Sequence, residues 1–296
     1  MKVLSLFDGI STGQYCLKQL GVDVETYYAS EIDKYAIAIT QHNFPNTVQM
    51  GDVNKWKEWN VDWSSIDLII GGSPCQSVSI VGNGLGLDGA SGLFFKYVEI
   101  LNHIKSVNPS VKFLLENVVM KQEWEQTFNE YMGVKPILID SALVSAQRRK
   151  RLYWTNIEIV GELEDKKLTL KDIVEPIEDK KEHNITDKMY AKKEGTLAYK
   201  KAWGSVKTLD KKSKTLTCGQ SITNSGATNI KYPDGQFYKP TAIESERLQT
   251  LPDNYTKFGV FDGQVKEISH TQRIKCVGNG WTAEVIKFIF NGLKNN

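Results

Sequence analysis

The first 156 residues alternate short apolar runs with amphipathic stretches, and no other feature of the chain limits its fold so tightly. The apolar runs are "KVLSLF" (2–7), "ETYYAS" (25–30), "TVQM" (47–50), "DLIIG" (67–71), "VKFLLE" (111–116), "PILID" (136–140) and "RLYWTN" (151–156). Between them helical periodicity returns, for example at 12–20, 33–42, 93–107 and 121–131. Strands separated by helices need crossover connections, so the expected architecture is α/β with a doubly wound, largely parallel sheet. Ligands of such sheets gather beyond the carboxyl ends of the strands.

The rhythm fades after Asn156. From there to about 265 the chain is lysine-rich, carries turn clusters such as "TNSGATN" and "YPDG", and has no clear strand–helix–strand unit. Helical periodicity returns from Ala283, with Val285, Ile286, Ile289 and Phe290 on one face. At 296 residues the chain can hold a main domain and an appendage. The expected division is therefore a main domain over 1–157, a smaller irregular domain over 158–266, and a segment over 267–296 that returns to the first.

The net charge of +2 hides a strong asymmetry. Residues 158–179 hold eight acids against three lysines, and residues 180–214 hold eleven lysines against four acids. Such a basic stretch is a solvated surface or, less commonly, one that tracks phosphates. Arginine is used differently. Three of the five arginines, Arg148, Arg149 and Arg151, fall within "QRRKR", where planar, bidentate hydrogen bonding is something lysine cannot supply. No apolar run approaches membrane-spanning length and the N-terminus enters a strand at once, so a cytoplasmic protein is expected. The four cysteines are too far apart in sequence for a zinc or redox pair, and no metal is expected.

Several strand exits carry residues suited to ligands. "LFDGISTG" (6–13) joins the first strand to the first helix, with Gly9 and Gly13 allowing close backbone approach near a helix N-terminus. Its spacing is not that of a dinucleotide fingerprint. Glu31 follows the second strand, where an acid accepts hydrogen bonds from ribose hydroxyls, and Asp52 follows the third, which together suggest an adenosine-containing cofactor. Cys75, in "GGSPCQS", follows the fourth and is a nucleophile or a small core residue. Glu116 ends the fifth and is expected to be partly desolvated. In an extended "QRRKR", Gln147, Arg149 and Arg151 share one face.

Taken in order, "FDGISTG", "SPCQ", "ENV", "QRRKR", "TAIESERLQTLP" (241–252) and "VGNG" (277–280) give the chain its resemblance to the DNA (cytosine-5) methyltransferases of bacteria and phages, over almost its whole length. "GISTG", "GGSP", "SIV" and "GNGW" also resemble the animal de novo enzymes. The resemblance implies a Rossmann-like, S-adenosylmethionine-dependent catalytic domain and a small target-recognition domain. It also implies double-stranded DNA as the partner, a base-flipping mechanism, a monomeric enzyme in a bacterial or phage-infected cell, and a restriction-modification setting. By the same similarity Cys75 is the nucleophile, Glu116 the partner of cytosine N3 and Arg151 the donor to cytosine O2, with Arg149 bracing the site or a phosphate. Phe7, Asp8, Gly9, Glu31, Ile32, Asp52, Val53, Pro74 and Asn279 are then the expected cofactor residues. The glycine-rich stretch 79–92 is expected to act as a lid.

Two alternatives remain at this level. One is a transfer-RNA cytosine-5 methyltransferase on the same scaffold, whose Cys-Phe-Thr tripeptide begins at none of the four cysteines here. The other is a catalytically silent DNA-binding relative, against which the presence of Cys75, Glu116 and Arg151 argues.

Overall fold

A computed structural model describes residues 1–74, 92–219, 221–223 and 227–295. Cys75 and all but the last residue of the expected lid lie outside the described residues. The chain divides into two compact units. The first comprises Met1–Ile139, Lys150–Gly161 and Ile286–Asn296, and the second comprises Asp140–Arg149 and Glu162–Val285.

The first unit is built on the apolar runs. They form β1 (Lys2–Leu6), β2 (Thr26–Ser30), β3 (Val48–Gln49), β4 (Leu68–Gly72), β5 (Lys112–Val118), β6 (Ile137–Asp140) and β7 (Lys150–Thr155). Four helices connect them: α1 (Thr12–Gln19), α2 (Lys34–Asn43), α3 (Gly92–Val107) and α4 (Gln122–Met132). The sheet order is β3-β2-β1-β4-β5-β7-β6. Neighbours from β3 to β5 pair in parallel, whereas β7 runs antiparallel to β5. Strand order reverses between β1 and β4, which puts the ligand crevice of a doubly wound sheet outside their carboxyl ends.

Both faces of the central strands are covered, so β1, β4 and β5 read as continuous hydrophobic runs rather than as alternations. Leu4, Leu6, Ile69, Phe113 and Leu115 pack with Phe94, Tyr97 and Ile100 of α3 and with Trp154 of β7. The Tyr97 hydroxyl, fully buried, donates to the carbonyls of Ile69 (3.3 Å) and Leu114 (3.0 Å). Tyr97 also explains the first glycine after "LII". A Cβ on Gly71 would lie 2.9 Å from the Leu6 carbonyl oxygen and 3.1 Å from the Tyr97 ring.

The second unit holds α5 (Thr186–Tyr190) and α6 (Leu197–Trp203), then β8 (Val206–Thr208), β9 (Asn229–Lys231) and β10 (Phe237–Tyr238) as a three-stranded sheet of order β10-β9-β8. After these come α7 (Ala242–Leu248), the hairpin β11 (Phe258–Phe261) and β12 (Gln264–Glu267), α8 (His270–Asn279), and the start of α9 (Ala283–Phe290). Two small apolar clusters fill it, one around Leu170, Ile230, Tyr238 and Leu248 and one around Met189, Ala202 and Phe237. The same unit holds a buried polar frame. Thr241 and Glu244 cap α7 reciprocally, and the Glu244 carboxylate accepts from Lys180 Nζ at 2.5 Å with both side chains fully buried. Two residues on, Glu246 accepts from Arg273 of α8 at 2.8 Å and from the backbone of Asn254 and Thr256.

Candidate active site

The loop leaving β1 is bent by alternating backbone handedness. Phe7, Gly9 and Ser11 take φ of 56°, 61° and 55°, and two of the three are not glycine. Strain of this kind persists only where the surrounding structure over-determines it. Asp8 supplies the restraint. Its carboxylate accepts from the hydroxyls of Ser11 and Tyr27, the latter at 2.9 Å, and its N–H donates to the Ser30 carbonyl at 3.1 Å. Burial pushes the Asp8 carboxyl up to about 6, hydrogen bonds from Ser11, Ser5 and Tyr27 oppose the rise, and the nearby charge of Glu31 adds to it.

Glu31, at the exit of β2, fastens this loop from the other side. The Gly9 N–H donates to its Oε2 at 2.8 Å, while its Oε1 accepts from the N–H groups of Ile32 (2.8 Å) and Asp33 (2.9 Å). Ile32 is 76% exposed, an unusual fate for isoleucine at a strand exit. Asp52, after β3, accepts from the backbone N–H and side-chain amide of Asn54, both at 2.9 Å. Val53 is buried in the core of the first unit, and Pro74 is exposed beyond the end of β4. Asn279 is the exposed last residue of α8 in the second unit.

One residue here escaped the sequence reading. Thr12 opens α1 and is 3% exposed, yet its hydroxyl has no hydrogen-bond partner among the described residues. Ser11 makes no side-chain cap, because its hydroxyl is spent on Asp8. An uncapped helix N-terminus with an orphaned hydroxyl suits a carboxylate or another anion. Glu31 suits hydroxyl donors, and Ile32 a flat apolar ring. The hint in the sequence was the Ser-Thr pair just before a helix.

The second cluster lies where β4 and β5 end. Gly72 stands opposite Glu116 in their parallel register. In the antiparallel register of β5 and β7, Val118 is the partner of Arg151, which makes Glu116 and Arg151 diagonal neighbours on one face. Arg151 Nε donates to Glu116 Oε1 at 2.8 Å, with the side chains 14% and 11% exposed. A guanidinium nitrogen of Arg151 also donates to the Lys150 carbonyl at 2.8 Å. Asn117, the middle residue of "ENV" and 2% exposed, donates through Nδ2 to Ser73 Oγ (3.0 Å) and to the Ser73 carbonyl (3.3 Å). It ties the end of β5 to the segment that runs into Pro74 and Cys75, a role that nothing in its residue type announces.

Arg149 keeps different company. It is 5% exposed, and its guanidinium donates to the carbonyls of Leu216 (3.0 Å), Gly278 (3.4 Å) and Gly280 (3.0 Å), all within the second unit. Gln147 joins the same knot by donating to the Leu248 carbonyl (2.5 Å) and to Gln249 Oε1 (2.8 Å) while accepting from Leu216 N–H (3.1 Å). Gln249 in turn donates to the carbonyls of Val277 and Gly280, both at 3.0 Å. Gly278 must be glycine at this crossing, since a Cβ would lie 2.6 Å from the Thr217 carbonyl carbon. Three sequence motifs, "QRRKR", "ERLQ" and "VGNG", thus meet in one hydrogen-bonded junction.

Residues 1–295 match the family model described as C-5 cytosine-specific DNA methylase. The chain is 36% identical to the orphan methyltransferase M.SPRI of Bacillus phage SPR over 179 residues, which is 56% of this chain and 38% of that protein. The match therefore spans well under half of the phage protein's length. Against the Type II methyltransferase M2.BsuMI of Bacillus subtilis (strain 168) the identity is 28% over 308 residues, covering 99% of this chain and 75% of that one. Among solved structures, the S. pombe Dnmt2 methyltransferase superposes with a TM-score of 0.72 at 17% identity, covering 99% of this chain and 98% of that chain.

Proposed function

The chain belongs to the C-5 cytosine-specific DNA methylase family, and from that premise we propose that it transfers a methyl group from S-adenosylmethionine to carbon 5 of a cytosine in duplex DNA. The observation that carries the reading is the Glu116–Arg151 pair on β5 and β7, with Glu116 standing opposite Gly72, three positions before Cys75 in the sequence. Cytosine carbon 5 is a poor nucleophile. A thiolate adding to carbon 6, with a proton held at N3, makes carbon 5 enamine-like, and covalent catalysis divides one hard step into easier ones. Cys75 is the nucleophile in this account. Glu116 holds the proton at N3, and Arg151 orients that carboxylate while offering its remaining N–H groups to the O2 of the base. Once carbon 5 has taken up the methyl group, a base removes the carbon-5 proton, and the electrons of that bond restore the ring and expel the Cys75 thiolate. The target base must leave the helical stack to reach these groups.

The first-unit loops fit the cofactor's chemistry. The α1 N-terminus with Thr12 suits its carboxylate, Glu31 its ribose hydroxyls and Ile32 its adenine, while Phe7, Asp8, Gly9, Asp52, Val53 and Pro74 form or brace the surrounding loops. When bound, S-adenosylmethionine supplies an electrophilic sulfonium methyl group. Arg149 acts within the second unit, where it holds the carbonyls of Leu216, Gly278 and Gly280. A radiolabelled-cofactor assay tests the proposal. Label should pass to duplex DNA and appear as 5-methylcytosine; label found in transfer RNA alone, or in neither, overturns it.

A further inference from the structure

The first unit carries a pocket that the catalytic chemistry leaves unused. Two short 3₁₀ turns, Val53–Glu58 and Trp63–Ser65, connect β3 to β4 and pack on α3. Where they meet, Trp56, Lys57, Trp63, Glu99 and His103 line a pocket of about 650 Å³, a volume within the range of small-molecule sites. Trp63 lies shortly before β4 begins and His103 in the last turns of α3 before β5, which places both toward the amino ends of those strands, away from Glu116 and Gly72. Three of the lining side chains are aromatic. The Trp63 ring stands at 86° to that of Trp56 and at 83° to that of His103, with centroids 5.5 and 5.3 Å apart. Glu99 is shared by two lysines: its Oε1 accepts from Lys57 Nζ at 3.1 Å and its Oε2 from Lys96 Nζ at 2.9 Å. Hydrogen bonds from Lys96 and then Lys57 hold its carboxyl down to about 2, so the pocket keeps its anion. Lys57 Nζ also lies over the Trp56 ring, 5.5 Å from the centroid. A cation of the chain's own thus already engages one aromatic face and the carboxylate. Its side chain is 72% exposed, and an exposed pair of this kind is displaced at little cost. Among the described residues no cation lies over the Trp63 ring.

We propose that this pocket binds a small quaternary ammonium compound, which takes the place of the Lys57 ammonium beside Glu99 and packs on the aromatic side chains. Indole faces attract cations through the ring quadrupole, and they do so best for a cation that sheds its water readily. The carboxylate selects among cations. A guanidinium binds a carboxylate best through both oxygens, and Lys96 holds one of them. A primary ammonium offers nothing that Lys57 lacks. A quaternary ammonium needs no hydrogen-bond acceptor, only negative potential and apolar contact, and the pocket supplies both.

The test is isothermal titration of the full chain with choline and with 3,3-dimethylbutan-1-ol, its uncharged carbon isostere. Choline should bind, and the isostere should bind at least about tenfold more weakly. Lys57→Ala should bind choline several-fold more tightly than the wild type, because the resident competitor is gone. Glu99→Gln should bind it about tenfold more weakly, since two lysines then face the ligand without their anion. Neither substitution touches a fully buried side chain, and thermal melting confirms that both variants are folded. Absence of choline binding by the wild type, equal affinity for choline and the isostere, or an affinity that Lys57→Ala does not raise overturns the inference. None of these outcomes depends on whether the chain methylates DNA.

Discussion

Arg151 and Glu116 sit diagonally across the antiparallel seam of β5 and β7 and are joined by a 2.8 Å hydrogen bond between Nε and Oε1. The antiparallel strand makes this geometry possible, because it returns a guanidinium to the end of β5 where a parallel neighbour would have been moving away. Removing the cation takes the guanidinium partner from a buried carboxylate. Arg151→Ala should therefore lower unfolding free energy by about 3–5 kcal/mol, the usual cost of breaking a buried pair. Glu116→Gln keeps a hydrogen-bond acceptor in place and should fold well, yet lose about 10²- to 10⁴-fold in methyl transfer, the range typical of a general acid or base. Urea denaturation and single-turnover kinetics check the two halves; equal stability losses in both variants would contradict this division of roles.

Gly71 is tested by a single methyl group. With the Leu6 carbonyl 2.9 Å and the Tyr97 ring 3.1 Å from the site of a Cβ, Gly71→Ala should destabilise by about 1–3 kcal/mol through overpacking. The urea midpoint should fall with little change in slope. A variant as stable as the wild type would show that α3 can withdraw from β4.

The carboxyl of Asp8 gives a pH signature. Its native value of about 6 lies above the ordinary 3.8, so between those values the native state binds more protons than the unfolded state. The associated stability is present below about pH 4 and is lost as pH rises through 6, by up to about 3 kcal/mol. Asp8→Asn, which can still accept from Tyr27 and Ser11, should gain on the wild type as pH rises from 4 to 6.5. Denaturation profiles of the two proteins that run parallel across that window would rule the assignment out.

Lys180 and Glu244 test the frame of the second unit. Both are fully buried, and the lysine also lies over the rings of Tyr232 (5.3 Å) and Tyr238 (5.6 Å). Lys180→Met should cost about 3–5 kcal/mol, and adding Glu244→Gln should recover much of that loss because no charge is then stranded. Additive losses in the double-mutant cycle would mean that the pair is not coupled.

The same lysine shows where sequence legibility stopped. "DLIIG" and "VKFLLE" were readable as central strands because two-sided burial demands unbroken apolar runs, and Leu68–Gly72 and Lys112–Val118 are such strands. The direction of β7 was not readable, since an apolar run carries no record of its polarity in the sheet. Lys180 lies in a basic stretch whose composition fits an exposed surface of either kind, and its burial depends on Glu244, 64 residues away, a partner that no local pattern identifies. Glu116 was legible as a partly desolvated acid and is 8% exposed. Arg149 was legible as a residue needing a guanidinium, but its three carbonyl partners come from segments separated by more than 60 residues and could not be read from "QRRKR". Thr12 and Asn117 gained meaning only from burial and from the partners they have or lack.

The central claim is that Cys75 attacks the target cytosine, and a trapped intermediate tests it most directly. With 5-fluorocytosine at the target position of the duplex, addition to carbon 6 and methyl transfer can proceed. Fluorine cannot then leave carbon 5 as a cation, so elimination is blocked. Mass spectrometry of the products should find protein and DNA joined covalently through the peptide containing "GGSPCQS", only when S-adenosylmethionine is present, and much more slowly with Glu116→Gln. An adduct at Cys16, Cys218 or Cys276, or no adduct from an enzyme that methylates the unmodified duplex, would contradict the account.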